Sequence, residues 1–124
     1  MMRNLLLVAC GGSLGSVARY LCQRWFVQHI PTHFPWGTFI VNITGCLLIG
    51  IFWGITLRSF SANEQWKLLL MTGVCGGFTT FSAFTLEGIG MLRENRAGIF
   101  LLYAGGSVLA GLLATYAGMK LIRP

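Results

Sequence analysis

Residues 73–84 read Gly73-Val74-Cys75-Gly76-Gly77-Phe78-Thr79-Thr80-Phe81-Ser82-Ala83-Phe84. They sit inside 68–86, a run of 19 residues without a charged side chain. That run is close to the ~20 apolar residues an α-helix needs to cross a hydrocarbon core. Yet Gly76-Gly77 followed by Thr79-Thr80 makes a poor helix, because glycine loses the most backbone freedom and threonine is restricted at its branched β-carbon. In lipid, irregular backbone persists only where it is buried in protein or lines a cavity. The stretch therefore predicts a membrane span broken at about residues 76–80, with freed carbonyls pointing inward as ligands for a small cation. The competing reading is a continuous, flexible glycine-rich helix.

Outward from this run, 37–57 and 97–119 give further charge-free spans of 21 and 23 residues. The first span is interrupted by Arg19, but its apolar pattern resumes beyond it, so one helix is expected over 4–28. Arg19 would lie ~22 Å along that helix from its start, either snorkelling to the membrane edge or facing water. The expected fold is all-α, a single domain over 1–124 with four transmembrane helices at about 4–28, 37–57, 66–92 and 97–121. Pro31 and Pro35 break the first connection, and Ser61 or Asn63 caps the third helix. Trp25, Trp36 and Trp66 fall near helix ends, where interfacial tryptophans gather.

The composition agrees, with 55% hydrophobic and only 10% charged residues, against roughly 25% charged in soluble domains. The net charge of +6 comes from single Lys and Arg residues between apolar runs. They form no basic patch, which argues against a nucleic-acid partner. Arg3 and the apolar run before Cys10 resemble a lipoprotein signal, but that run is too short and the apolar pattern continues past it. Cys10, Cys22, Cys46 and Cys75 form no C-x-x-C pair and read as small buried hydrophobes.

Lys/Arg asymmetry sets membrane orientation, and here there is almost none. Arg3, Arg58, Lys67, Lys120 and Arg123 lie on the side of the termini, and Arg19, Arg24, Arg93 and Arg96 on the other. Four helices are few to enclose a polar pathway, and many transporters use two inverted halves. Two copies inserted oppositely would rebuild that arrangement, so an antiparallel, dual-topology homodimer is expected. The G-x-x-x-G pairs Gly11/Gly15, Gly50/Gly54 and Gly73/Gly77 suit close helix approach, within the chain or between copies.

Polar side chains within spans need partners or a cavity. Tyr103, Ser107, Gly111 and Thr115 recur every four residues on one helix face. This stripe suits either interhelical hydrogen bonding or a partly wet pathway for an ion that binds weakly and leaves. Phe78, Phe81 and Phe84 recur every three residues and share a face or nearly so. They read either as packing or as ring edges whose positive potential meets an anion.

These residues together resemble the Fluc (CrcB) fluoride channel family. The motifs are Gly12-x-x-Gly15-x-x-x-Arg19-Tyr20, Gly37-Thr38-x-x-Val41-Asn42-x-x-Gly45, and residues 73–84 followed by Glu87. The resemblance covers essentially the whole chain. It implies a passive channel exporting fluoride down its gradient through two pores of an antiparallel homodimer, in the bacterial plasma (inner) membrane. It implies that Phe81 and Phe84 present ring edges to fluoride, that Asn42 donates to it, and that Ser82, Tyr103, Ser107 and Thr115 continue the polar track. Arg19 resembles the vestibule arginine and Glu87 the acidic position near the pore. The backbone carbonyls of Gly76 and Thr79 from both subunits would hold a structural Na+ at the dimer centre. Ala83, where the family commonly has Thr, and Gly111, where a hydroxyl is often found, depart from the pattern.

The rival readings are a small four-helix proton-coupled exporter and a non-transporting membrane scaffold. The exporter needs a carboxylate in the first span, which has none. A scaffold has no need of irregular backbone at mid-membrane. An enzyme is not expected: there is no Ser-His-Asp set, and His29 and His33 lie in a connection.

Overall fold

The structure, a computed structural model, describes residues 1–58 and 64–122. The expected caps Ser61 and Asn63, and Arg123, lie outside the described residues. Among those described, the elements are α1 (Met2–His29), α2 (Trp36–Arg58), α3 (Glu64–Trp66), a π-helical segment (Lys67–Cys75), α4 (Gly76–Phe78), α5 (Phe81–Arg93) and α6 (Ala97–Ile122). From α3 through α5 the chain forms one span, so there are four stretches long and apolar enough to cross a membrane: Met2–His29, Trp36–Leu57, Glu64–Arg93 and Ala97–Ile122.

The connections are short and have local causes. α1 stops before Pro31, with the Ile30 N–H donating to the Phe26 carbonyl at 2.8 Å. α5 ends in a Schellman motif. Asn95 takes the left-handed conformation at φ 58°. The Arg96 N–H then reaches back to the Met91 carbonyl at 2.8 Å and the Asn95 N–H to that of Leu92 at 3.2 Å. Glu94 and Glu64 pair with Arg96 and Lys67 at these helix ends.

Glycine decides which helices touch. α1 lies against the π-helical segment and α4, while α2 lies against α6. A side chain at Gly11 would run into the Leu69 carbonyl and meet the Gly73 Cα at 2.9 Å. One at Gly118 would strike the Leu47 carbonyl and meet the Ile51 nitrogen at 2.9 Å. Gly50 and Gly54 face Thr115, Met119 and Ile122 of α6. The glycine pairs noted in the sequence are therefore spent on packing within the chain, backbone against backbone.

The chain buries little. Val41, Cys75, Met91, Tyr103 and Thr38 are the buried non-glycine residues among those described, while Leu14, Leu86, Leu109 and Phe81 are each at least 66% exposed. No span has more than 22% of its most apolar window buried. Apolar faces of this extent require lipid or another apolar surface around them. The protein is a multi-pass integral membrane protein.

Candidate functional site

The third span is broken at Thr79 and Thr80, which adopt extended backbone at φ −84°, ψ 157° and φ −148°, ψ 119°. The expected break at 76–80 thus narrows to its last two residues, and Gly76 and Gly77 stay helical. Local chemistry explains the position. Thr79 turns its hydroxyl back onto the Cys75 carbonyl at 2.9 Å, alongside its own N–H at 3.0 Å. Thr80 is the N-cap of α5, its hydroxyl accepting from the Ala83 N–H at 3.2 Å. Threonine side chains that bond to nearby backbone compete with the helix ladder in this way.

Two residues from other helices satisfy the backbone groups at the break. Asn42 of α2 accepts from the Thr80 N–H at 2.8 Å and donates Nδ2 to the Thr80 carbonyl at 3.0 Å. A continuing helix would direct the Thr80 N–H to Gly76, so Asn42 takes the donor that the Gly76 carbonyl would have had. Arg19 of α1 donates Nε to the Gly77 carbonyl at 3.1 Å. The arginine therefore turns inward to the break, and its cation sits at the C-terminal end of α4, as the helix dipole favours. Gly76, Thr79, Thr80 and Phe81 line a groove of ≈ 310 Å³ beside the break.

Beyond the break, the Phe81 and Phe84 rings lie 5.8 Å apart at 39°, and Phe84 is 5.0 Å from Tyr103. Phe81 is 76% exposed. The break falls between Phe78 and Phe81, so helical spacing relates only Phe81 to Phe84. This corrects the shared face expected for all three. Ser82 is exposed, its Oγ 3.5 Å from the Thr80 hydroxyl.

Glu87 ties three helices together. It accepts from the Thr38 hydroxyl of α2 at 3.1 Å and from the Tyr103 hydroxyl of α6 at 3.3 Å. Gln23 of α1 donates to Thr38 at 3.0 Å. Thr38 and Tyr103 are 2% and 0% exposed, so their hydroxyls have little water to turn to. A cavity of ≈ 480 Å³, lined by Gln23, Phe26, Trp36 and Thr38 among others, opens onto Glu87.

The hydroxyl stripe on α6 divides. Tyr103 is committed to Glu87, and Thr115 donates to the Cys46 carbonyl at 3.0 Å. Only the Ser107 hydroxyl is buried without a partner among the described residues. Interhelical bonding thus accounts for two of the three hydroxyls and leaves the middle one open.

Gln23 is the member of this network that neither the motifs nor the hydroxyl stripe single out in the sequence. Its signal was an amide inside a largely apolar first span, past Arg19. The clamp of Asn42 on Thr80 had no signal in spacing, since it joins residues 38 positions apart.

The profile of the family described as CrcB-like protein, Camphor Resistance (CrcB), matches residues 6–119. A protein of Flavobacterium psychrophilum named fluoride-specific ion channel FluC is 45% identical over 118 residues, covering 95% of each chain. Proteins of the same name from Rhizobium etli and Leptospira interrogans are each 43% identical. The Rhizobium match covers 98% of both chains, and the Leptospira match 98% of this chain and 95% of its own. With matches of this extent from end to end, the chain belongs to the CrcB family of membrane ion channels.

Proposed function

We propose that this protein is a passive, fluoride-selective channel that lets fluoride leave down its electrochemical gradient. The observation that carries the reading is the pinned break, with a phenylalanine pair on its far side and an unpartnered Ser107 hydroxyl on the neighbouring helix. The relatives' name, fluoride-specific ion channel, supports the choice of ion. The family is one of ion channels, not enzymes.

In this reading the residues act as weak donors to a strongly hydrated anion. The edges of Phe81 and Phe84 carry positive potential without a full charge. Asn42 keeps a second Nδ2 hydrogen beyond the one given to Thr80, and Ser82 and Ser107 supply hydroxyls further along, while the Thr115 hydroxyl proton is already given to the Cys46 carbonyl. Thr38 and Tyr103 hydroxyls point at Glu87, so an arriving anion competes with that carboxylate for donors. Arg19 adds positive charge beside the break, at the Gly77 carbonyl. Binding that is favourable but weak lets the ion enter and leave.

The working unit in this proposal is an antiparallel homodimer with two pathways. The near-equal Lys/Arg count on the two sides supports it. So does the 76% exposure of Phe81, which a lone chain leaves uncovered. The carbonyls of Gly76 and Thr79 are suited to a structural Na+, since the helix donor to Gly76 is diverted and Thr79 is extended. Two carbonyls are too few for such an ion, so the same pair from a second copy would complete its shell. Bound there, sodium would supply fixed positive charge between the two copies.

The test is ion efflux from proteoliposomes loaded with potassium fluoride or potassium chloride, with valinomycin to dissipate the voltage. Rapid fluoride release with chloride retained is expected. Release of neither ion from folded, reconstituted protein would overturn the channel reading and favour a scaffold.

A further inference from the structure

Gln23 of α1 donates Nε2 to the Thr38 hydroxyl of α2 at 3.0 Å. The approach is built into the backbone. Gly37 precedes Thr38, and a Cβ added there would stand 3.3 Å from the Gln23 Cα and 3.5 Å from its Cγ. The missing side chain at Gly37 thus lets the Gln23 stem lie against α2, with its amide at Thr38.

The proton count along this chain of groups fixes its direction. Glu87, as a carboxylate, only accepts. The single Thr38 hydroxyl proton goes to it at 3.1 Å, and Tyr103 gives its own at 3.3 Å. Thr38 therefore meets Gln23 with a lone pair, and Gln23 must present its N–H rather than its carbonyl oxygen. Among the described residues no ion pair reaches Glu87, so neutral donors alone oppose its charge. Thr38 is 2% exposed, which leaves water poorly placed to replace the amide. All of these groups belong to one chain, and their bonds form without a second copy.

We infer that Gln23 is a positioning residue for the fluoride path: its amide holds the Thr38 oxygen by one lone pair and so aims the one proton for which Glu87 and an arriving anion compete. The role rests on the channel reading above. A hydroxyl that accepts one hydrogen bond is polarised into a better donor for the next. Thr38 can then turn its donor from Glu87 to the ion by rotation about its own C–O bond, while the oxygen stays where Gln23 keeps it. No proton leaves an oxygen in this exchange; only the direction of the O–H changes. Without the amide, the hydroxyl is free to turn away from both acceptors.

The chain has only three acidic residues, which makes the test direct. Glu64→Gln and Glu94→Gln remove the two exposed carboxylates and leave Glu87 as the one acidic side chain. The infrared spectrum of this protein in deuterium oxide at neutral pH, less that of the same protein with Glu87→Gln, isolates the Glu87 carboxylate stretch. Gln23→Met, which keeps the unbranched stem and removes the donor, should shift that band. Gln23→Asn, which keeps the amide but retracts it by one methylene, should shift it in the same sense, and it serves if the methionine variant does not fold. Once Thr38→Val has cut the link, Gln23→Met should shift the band no further, as coupling through a shared partner requires. A band unmoved by both variants, an equal further shift in the Thr38→Val background, or a protonated carboxyl in place of the carboxylate overturns the positioning role.

Fluoride efflux from proteoliposomes, in the otherwise unaltered protein, reads the consequence. Gln23→Met should slow it about two- to tenfold, the range that one neutral hydrogen bond supplies. A shifted band with efflux at the parent rate overturns the role in transport. If the parent protein itself releases no fluoride, the channel reading fails and takes this role with it; if the parent conducts and the band stays, this inference alone fails.

Discussion

Asn42 holds Thr80 by both of its backbone groups, taking the N–H at 2.8 Å and giving to the carbonyl at 3.0 Å. A side-chain amide can stand in for a neighbouring strand in this way, since it offers one donor and one acceptor side by side. In lipid, where water is absent, that substitution makes the break tolerable.

Asn42→Leu should therefore destabilise the protein by about 1–3 kcal/mol for each backbone group left unpaired. Denaturant unfolding of the detergent-solubilised protein reads this directly. A midpoint equal to that of the parent protein would mean that the break does not depend on the clamp.

Ser107 is the opposite case. Its buried hydroxyl has no partner among the described residues, so Ser107→Ala removes a group whose burial is itself unfavourable. Stability should hold or rise by up to about 1–3 kcal/mol, while fluoride efflux falls. Efflux at the parent rate would remove Ser107 from the pathway.

Phe81→Ile and Phe84→Ile keep apolar bulk and remove the ring edge. Both should lower fluoride efflux while the protein stays folded. Because Phe84 contacts Tyr103 and Phe81 is exposed in the single chain, the Phe84 variant should also lose stability, by about 0.5–1.5 kcal/mol for the lost ring pairing. Unchanged efflux in both variants would sink the ring-edge mechanism.

Gly11→Ala and Gly105→Ala should part company in the same unfolding assay. At Gly11 the new methyl meets backbone that has little freedom to give, and overpacking of this kind typically costs about 1–3 kcal/mol. Gly105 has nothing within 4 Å, so alanine there should be neutral or stabilise the helix by about 0.5–1 kcal/mol. Marked destabilisation by Gly105→Ala would place another copy of the chain against that face.

The spans were legible because apolar length is a property of composition, and charge-free runs of 19, 21 and 23 residues leave few alternatives. The break was legible to within three residues, because Gly-Gly and Thr-Thr are both weak in helices. Which pair yields depends on tertiary partners: Asn42 and Arg19 act on Thr80 and Gly77 from positions 38 and 58 residues away. Periodicity misled at Phe78, since it assumes a helix that continues. The π-helical turn at Lys67–Cys75 left no mark in residue type at all. Arg19 stayed ambiguous in the sequence for a related reason, because whether an arginine turns to the membrane edge or inward is decided by a carbonyl that another span sets free.

The glycine seams carry a consequence for how the chain is made. α1 finds its backbone-tight partner only in the third span, and α2 finds its own only in α6. Neither α1 nor α2 is packed by the helix that follows it into the membrane as tightly as by a later arrival. During synthesis α2 must therefore wait in the bilayer with Gly50 and Gly54 uncovered until the last helix has been inserted. A chain cut short after Arg93 keeps the α1 seam but leaves that notch open, and it would look to a membrane protease like an unfinished product.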